Sequence, residues 1–152
     1  MRIIGHRGAR GEAPENTLGG FRYLHGLGIR AVEFDVRQLK DGQLVVIHDD
    51  DFVRTTGRAQ HVESCDLSEA QQFDHRHQWQ HWTFEEYTPS LPHVLECLTD
   101  FDHIEVEIKA VADEAAAERL IEQLHQDLKG FETSATITSF DVKILAALQH
   151  IR

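Results

Sequence analysis

The sequence predicts an α/β protein built on a parallel β-sheet, and three observations carry that prediction. Short runs with period-two alternation take turns along the chain with segments whose apolar residues recur at helical spacing. The order is strand, helix, strand, strand, helix, strand, helix, strand, helix, as βαβ units require. Polar residues then gather at the C-terminal ends of the strands: His6, Asp35, His48 and Lys109. In barrels of parallel strands that end carries the chemistry.

Each element has its own signal. Arg2 to Gly8 is a short apolar strand ending at a glycine-flanked polar tip, and an irregular loop follows to Pro14. Asn16 and Thr17 are good capping residues for a helix that carries Leu18, Phe21 and Leu24 and stops at Gly28. In Ala31 to Arg37, Val32, Phe34 and Val36 share one face while Glu33 and Asp35 share the other. An Asp41-Gly42 turn leads to the apolar run Leu44 to Ile47, ending at His48-Asp49. Asp50 to Gly57 reads as a polar loop, and Ser68 as the cap of a short helix with Gln71 three residues on. His75 to Trp82 reads as a polar surface segment.

Further on, Leu91, Val94, Leu95 and Leu98 form a helix stripe capped by Ser90. Ile104 to Lys109 alternates, with Glu105, Glu107 and Lys109 on one face. The clearest helix carries Ala117, Leu120, Ile121, Leu124 and Leu128, with Asp113 as cap, Lys129 at the negative end of its dipole and Gly130 as stop. Ala135 to Phe140 is a fifth strand, and Asp141 caps a last helix with Ile144, Leu145 and Leu148.

The 152 residues and 17.4 kDa suit one domain over residues 1–152, large enough to bury a core. A formal net charge of −11 argues against nucleic acid or an anionic membrane surface as partner, since both need a basic face. An anionic substrate would need a local positive centre, from Lys and Arg or from a bound metal. No apolar run reaches membrane-spanning length, and no signal peptide precedes Ile3-Ile4-Gly5, so no membrane insertion is expected. Cys65 and Cys97 lie far apart, which fits a reducing cytoplasm better than a disulfide framework.

Two carboxylates on one strand face suit a hard divalent cation, and a histidine at the end of the next strand suits proton transfer near neutral pH. Alone, Glu33 and Asp35 would equally fit the solvated face of a sheet. A second alternating strand bearing Glu107 and Lys109 gives them company. If the apolar alternates pack outward under helices, the carboxylates face inward, where burial is costly unless a cation offsets it. Asp49 is placed to orient His48 by a hydrogen bond. Glu105 is either a supporting carboxylate or an inward charge paired with Arg37.

Gly5-His6-Arg7-Gly8, Glu15-Asn16-Thr17, Glu33-Phe34-Asp35-Val36, His48-Asp49, Glu107-Ile108-Lys109 and Ser139-Phe140-Asp141, in that order, resemble the glycerophosphodiester phosphodiesterase family from Gly5 to Leu148. The resemblance implies a TIM (β/α)8-barrel enzyme that hydrolyses glycerophosphodiesters to glycerol 3-phosphate and an alcohol. It implies Glu33, Asp35 and Glu107 as ligands of one divalent cation, Mg²⁺ or Ca²⁺, His6 and His48 as the acid–base pair, and Arg7 and Lys109 as the phosphate-holding residues. It also implies attack by the substrate's own hydroxyl, through a cyclic phosphate that water then opens. Two other readings stay open: a relative acting on larger phospholipid head groups, and a non-catalytic barrel segment that binds metal or a partner chain.

A full barrel of this type has eight strands and about 250 residues, and five strands can be counted here. The strands beginning at Ile3 and Ala135 are therefore expected to be open edges. Association into a homo-oligomer, or a completing segment, is expected to cover them.

Overall fold

The computed structural model describes residues 1–150 of the chain. Five strands form one sheet: β1 (Gly5–His6), β2 (Ala31–Gln38), β3 (Leu44–Val46), β4 (His103–Ile108) and β5 (Ala135–Ser139). The order is β1-β2-β4-β5, all parallel. β3 turns back antiparallel on the end of β2 through the Asp41-Gly42 turn, pairing Val36 with Val46 and Gln38 with Leu44. Four of the five strands thus follow the parallel order, and the fifth is the return arm of a hairpin. β1 and β5 lie at the two ends of the order, as the sequence suggested.

The first strand is shorter than Arg2 to Gly8. Gly5 and His6 pair with Val32 and Glu33, and because β2 begins at Ala31 the residues before Ile4 have no strand opposite them. Ile3 and Ile4 are accordingly exposed.

Among the described residues six α-helices lie between and after the strands: α1 (Leu18–Gly26), α2 (Val53–Thr56), α3 (Leu67–Ala70), α4 (Leu91–Glu96), α5 (Glu114–Asp127) and α6 (Val142–Leu148). Their caps are mostly those the sequence announces. Thr17 Oγ1 accepts from Gly20 N, Ser90 Oγ from His93 N, Asp113 from Ala116 N and Asp141 from Lys143 N. α3 differs. Its cap is Asp66, which accepts from Glu69 N while the Glu69 side chain returns to the Asp66 backbone, so Ser68 lies inside the helix. A capping box satisfies two orphan donors at once, which Ser68 with Gln71 three residues on does not do here.

Alternation decides which face is covered. Val32, Phe34 and Val36 of β2 and Ile104, Val106 and Ile108 of β4 are all buried in one cluster with Phe21, Leu24, Leu95, Leu120, Leu124 and Ile144 of the helices. Phe34 meets Phe21 edge-on, ring centroids 5.7 Å apart. A second apolar cluster joins Val45, Ile47, Phe52, Val62, Cys65 and Phe73 beneath the β3–α3 segment. The helices thus cover the apolar face and leave Glu33, Asp35, Glu105 and Glu107 on the other. Among the described residues, no helix is long and apolar enough to cross a membrane.

The His75–Trp82 segment is less superficial than its composition suggests. His75 is only 3% exposed, with its backbone N–H on Glu86 O and Nε2 2.6 Å from Thr88 Oγ1. Trp82 Nε1 donates to Glu86, whose other oxygen accepts from Gly19 N at the start of α1. The segment is tied down by residues distant in sequence, and one of its histidines becomes core.

Candidate active site

Register brings the acidic residues together. β2 and β4 align Asp35 with Glu107 and Glu33 with Glu105. In a parallel pair such neighbours project on the same side. Atoms of Glu33, Asp35 and Glu107 that could bind a cation all lie within 4.8 Å of one another. Asp35 is 1% exposed, and Glu33 and Glu107 are half-buried. Burial and the charges of Asp35 and Glu107 push the Glu33 carboxyl up to about 7. Glu107 is also raised, by its contact with Asp35 and by burial, with Lys109 Nζ 3.6 Å away opposing the shift. Glu33 Oε1 and Asp35 Oδ1 are buried and without a hydrogen-bond partner. Three crowded carboxylates with orphaned oxygens fit a hard divalent cation, which takes several oxygen ligands and supplies the missing charge.

Of the other residues singled out from sequence, His6, Arg7 and Lys109 contact this group. His6, at the tip of β1, has Nε2 3.3 Å from Glu33 Oε2 while its side chain is 57% exposed. Burial and the neighbouring Arg7 guanidinium lower the His6 pKa, against a pull from Asp35. Arg7 follows in the left-handed region (φ 50°), which turns the chain sharply and brings Nε to 3.5 Å from Asp35 Oδ2 and Nη1 to Glu15. Lys109 continues the β4 strand beside Glu107. His48 ends the β3 run, its Nδ1 2.7 Å from Asp49 Oδ1. Burial would raise the Asp49 carboxyl, but hydrogen bonds with Arg54 and His48 outweigh it and hold it at about 2. The sequence expectation that Asp49 orients His48 therefore matches the geometry.

Glu105 does not pair with Arg37. It meets His103 Nε2 at 2.9 Å, while Arg37 Nε donates to the His48 carbonyl. Arg37 thus ties the end of β2 to the loop bearing His48.

Two participants were not singled out by role. Asn16, 2% exposed and also left-handed (φ 54°), donates from Nδ2 to Asp35 Oδ2, and its Oδ1 is buried without a partner. Glu15 sits between Arg7 and Arg54, and salt bridges from Arg54 and Arg7 lower its pKa although burial alone would raise it. Both belong to the Glu15-Asn16-Thr17 stretch quoted above. A polar run inside an otherwise irregular loop was the available signal. A second acidic group, Asp50, Asp51 and His61, also has converging atoms, but Asp50 and His61 are exposed and Asp51 Oδ1 caps Val53 N. A groove of about 830 Å³ is lined at one side by Arg37 and Lys109 and runs outward between the β2–β3 turn and the start of α5.

Known proteins resemble the chain in both sequence and fold. The glycerophosphoryl diester phosphodiesterase family model matches residues 6–151. A glycerophosphodiester phosphodiesterase from Caldanaerobacter subterraneus subsp. tengcongensis is 34% identical over 142 residues, covering 91% of this chain and 58% of that protein. Glycerophosphodiester phosphodiesterase 1 of Rattus norvegicus is 29% identical over 163 residues, 97% of this chain and 48% of the other. Among solved structures, an Oleispira antarctica phosphodiesterase in complex with the product sn-glycerol-3-phosphate superposes with a TM-score of 0.86 at 28% identity, covering 99% of this chain and 62% of that one. A glycerophosphodiester phosphodiesterase from Agrobacterium tumefaciens gives 0.82 at 28% identity, covering 98% and 62%. The chain thus spans between about half and two thirds of the length of these relatives. These structural neighbours are of the TIM-barrel type, and the parallel sheet here corresponds to part of such a barrel.

Proposed function

The chain belongs to the glycerophosphoryl diester phosphodiesterase family, and from that premise we propose that it takes part in hydrolysis of glycerophosphodiesters to glycerol 3-phosphate and an alcohol. The observation that carries the proposal is the convergence of Glu33, Asp35 and Glu107 with His6, Arg7 and Lys109 in contact with them. The Oleispira relative, with glycerol 3-phosphate as its product, supports this choice of substrate.

In this reading Glu33, Asp35 and Glu107 hold one divalent cation, Mg²⁺ or Ca²⁺. When bound, the cation supplies positive charge to non-bridging phosphate oxygens and lowers the cost of charge building there. Arg7 offers a planar fork to the phosphate, and Lys109 a compact point charge. The diester is thus held by groups that themselves lean on the carboxylates, so occupancy by anion and cation reinforce one another. His6 and His48 handle the proton: one takes it from the attacking oxygen and the other gives one to the leaving alcohol. With Asp49 ionised, His48 Nδ1 can only donate to it, which leaves Nε2 as the atom that exchanges a proton with substrate.

The test is release of glycerol 3-phosphate from glycerophosphocholine, followed by coupled oxidation, with Mg²⁺ or Ca²⁺ and with chelator. Cation-dependent release that disappears in Asp35→Asn supports the reading. Release that survives both chelation and Asp35→Asn removes it.

A further inference from the structure

We propose that Arg54 is a positioning residue that clamps the loop carrying His48 to the loop carrying Arg7, so that both groups face the phosphate together; this rests on the diesterase reading above. Arg54 lies on α2, outside the strands that bear the acidic cluster. Its guanidinium makes four hydrogen bonds to two carboxylates from different loops. Nε and Nη2 donate to Asp49 at 3.0 and 3.1 Å, and Nη1 and Nη2 donate to Glu15 at 2.7 and 2.9 Å.

Each carboxylate passes the constraint on. Asp49 holds His48 Nδ1 at 2.7 Å, and Glu15 accepts from Arg7 Nη1 at 3.3 Å. A chain of contacts therefore runs His48–Asp49–Arg54–Glu15–Arg7, and its centre is one planar group. Only a guanidinium can address two carboxylates along two edges of its plane, since an ammonium on a flexible stem lacks that fork. The chemistry has a use for such a clamp. A histidine must present the right ring nitrogen, and the ring's tautomer is set by what its other nitrogen bonds to. Asp49, ionised and so acceptor-only, fixes the proton on Nδ1. Arg54 fixes Asp49. Were Arg54 mere glue between loops, its loss would lower stability while a folded variant kept His48 in one tautomer.

The experiment combines ¹⁵N NMR of the His48 ring, assigned with His48→Gln, and turnover of glycerophosphocholine in a double-mutant cycle. In the wild-type chain the neutral ring carries its proton on Nδ1 alone. Arg54→Gln is expected to give mixed tautomers and to lower kcat ~10- to 100-fold, the usual cost of removing a group that orients a functional side chain. Adding Asp49→Asn to Arg54→Gln is expected to cost little beyond the larger single loss, because both act through His48. Should Arg54→Gln fail to fold, Arg54→Lys gives the same reading, keeping the charge without the fork. A folded variant that retains a single Nδ1–H tautomer, or losses that add in the cycle, overturns the clamp. If the wild-type chain releases no glycerol 3-phosphate, the diesterase reading falls on its own, and the tautomer measurement still judges Arg54.

Discussion

His75 offers a stability prediction whose size follows from its surroundings. The ring is 3% exposed, set edge-on to Phe52 with centroids 6.2 Å apart, and bonded to Thr88. Burial lowers its pKa from 6.5 to about 4, while Glu15 and Asp74 pull upward and Arg54 adds to the lowering. The folded pKa lies below the unfolded one, so the unfolded chain binds this proton first. Stability from neutral His75 is complete above pH 6.5 and is lost as pH falls toward 4. A shift of this size, at 1.36 kcal/mol per pH unit, corresponds to about 3 kcal/mol between neutrality and pH 4. Glu33 works the other way: its pKa is raised to about 7, so its contribution is present at low pH and lost as pH rises toward 7. The two overlap, and only a difference isolates His75. His75→Gln keeps an amide for Thr88 and does not titrate. Urea unfolding of both proteins should show the wild type losing about 3 kcal/mol relative to His75→Gln between neutral pH and pH 4. A gap that does not change with pH would mean that the His75 ring is charged or solvated in the folded state.

Further expectations concern the proton carriers, the core, a helix cap and the sheet edges. His6→Ala and His48→Ala should each lower turnover by about 100-fold or more while leaving cation affinity nearly unchanged, measured by kinetics and calorimetry side by side. Phe34→Ala removes a fully buried ring packed on Phe21, and should cost about 3–5 kcal/mol by chemical denaturation with the site carboxylates intact. Asp113→Ala leaves Ala116 N without its acceptor and should cost about 1 kcal/mol, with little change in turnover. Phe140, Val142 and Leu145 are exposed beside the edge strand β5, and Ile3 beside β1. Light scattering on residues 1–152 alone should therefore report association; a cooperatively melting monomer would mean that these edges need no cover.

What could be read from sequence was what is local. Val32, Phe34 and Val36 against Glu33 and Asp35 is a pattern of adjacent residues, and strand geometry turns it directly into two faces. The cluster of Glu33, Asp35 and Glu107 needed one more fact, the parallel pairing of β2 with β4, which the order of elements implied. The helix caps at Thr17, Ser90, Asp113 and Asp141 were legible for the same reason. Burial of His75 was not, because Glu86, Thr88 and Phe52 reach it from elsewhere in the chain. Arg54 lies in a stretch that reads as polar loop, and Glu15 lies 39 residues before it, so no local pattern announces their pairing. The cap of α3 is a different case. Asp66 and Glu69 have capping-box spacing in the sequence itself, two residues ahead of Ser68 and Gln71. The turn at Asp41-Gly42 likewise marked a hairpin, and that hairpin makes β3 antiparallel rather than a member of the parallel set.

The central claim is that Glu33, Asp35 and Glu107 form a cation site, and a crystal structure grown with Mg²⁺ or Ca²⁺ tests it most directly. The expected result is one ion bonded to oxygens of all three carboxylates, at about 2.1 Å for Mg²⁺ or 2.3–2.6 Å for Ca²⁺. An ion bound instead at Asp50, Asp51 and His61, or no ion between the three carboxylates at saturating concentration, would contradict it.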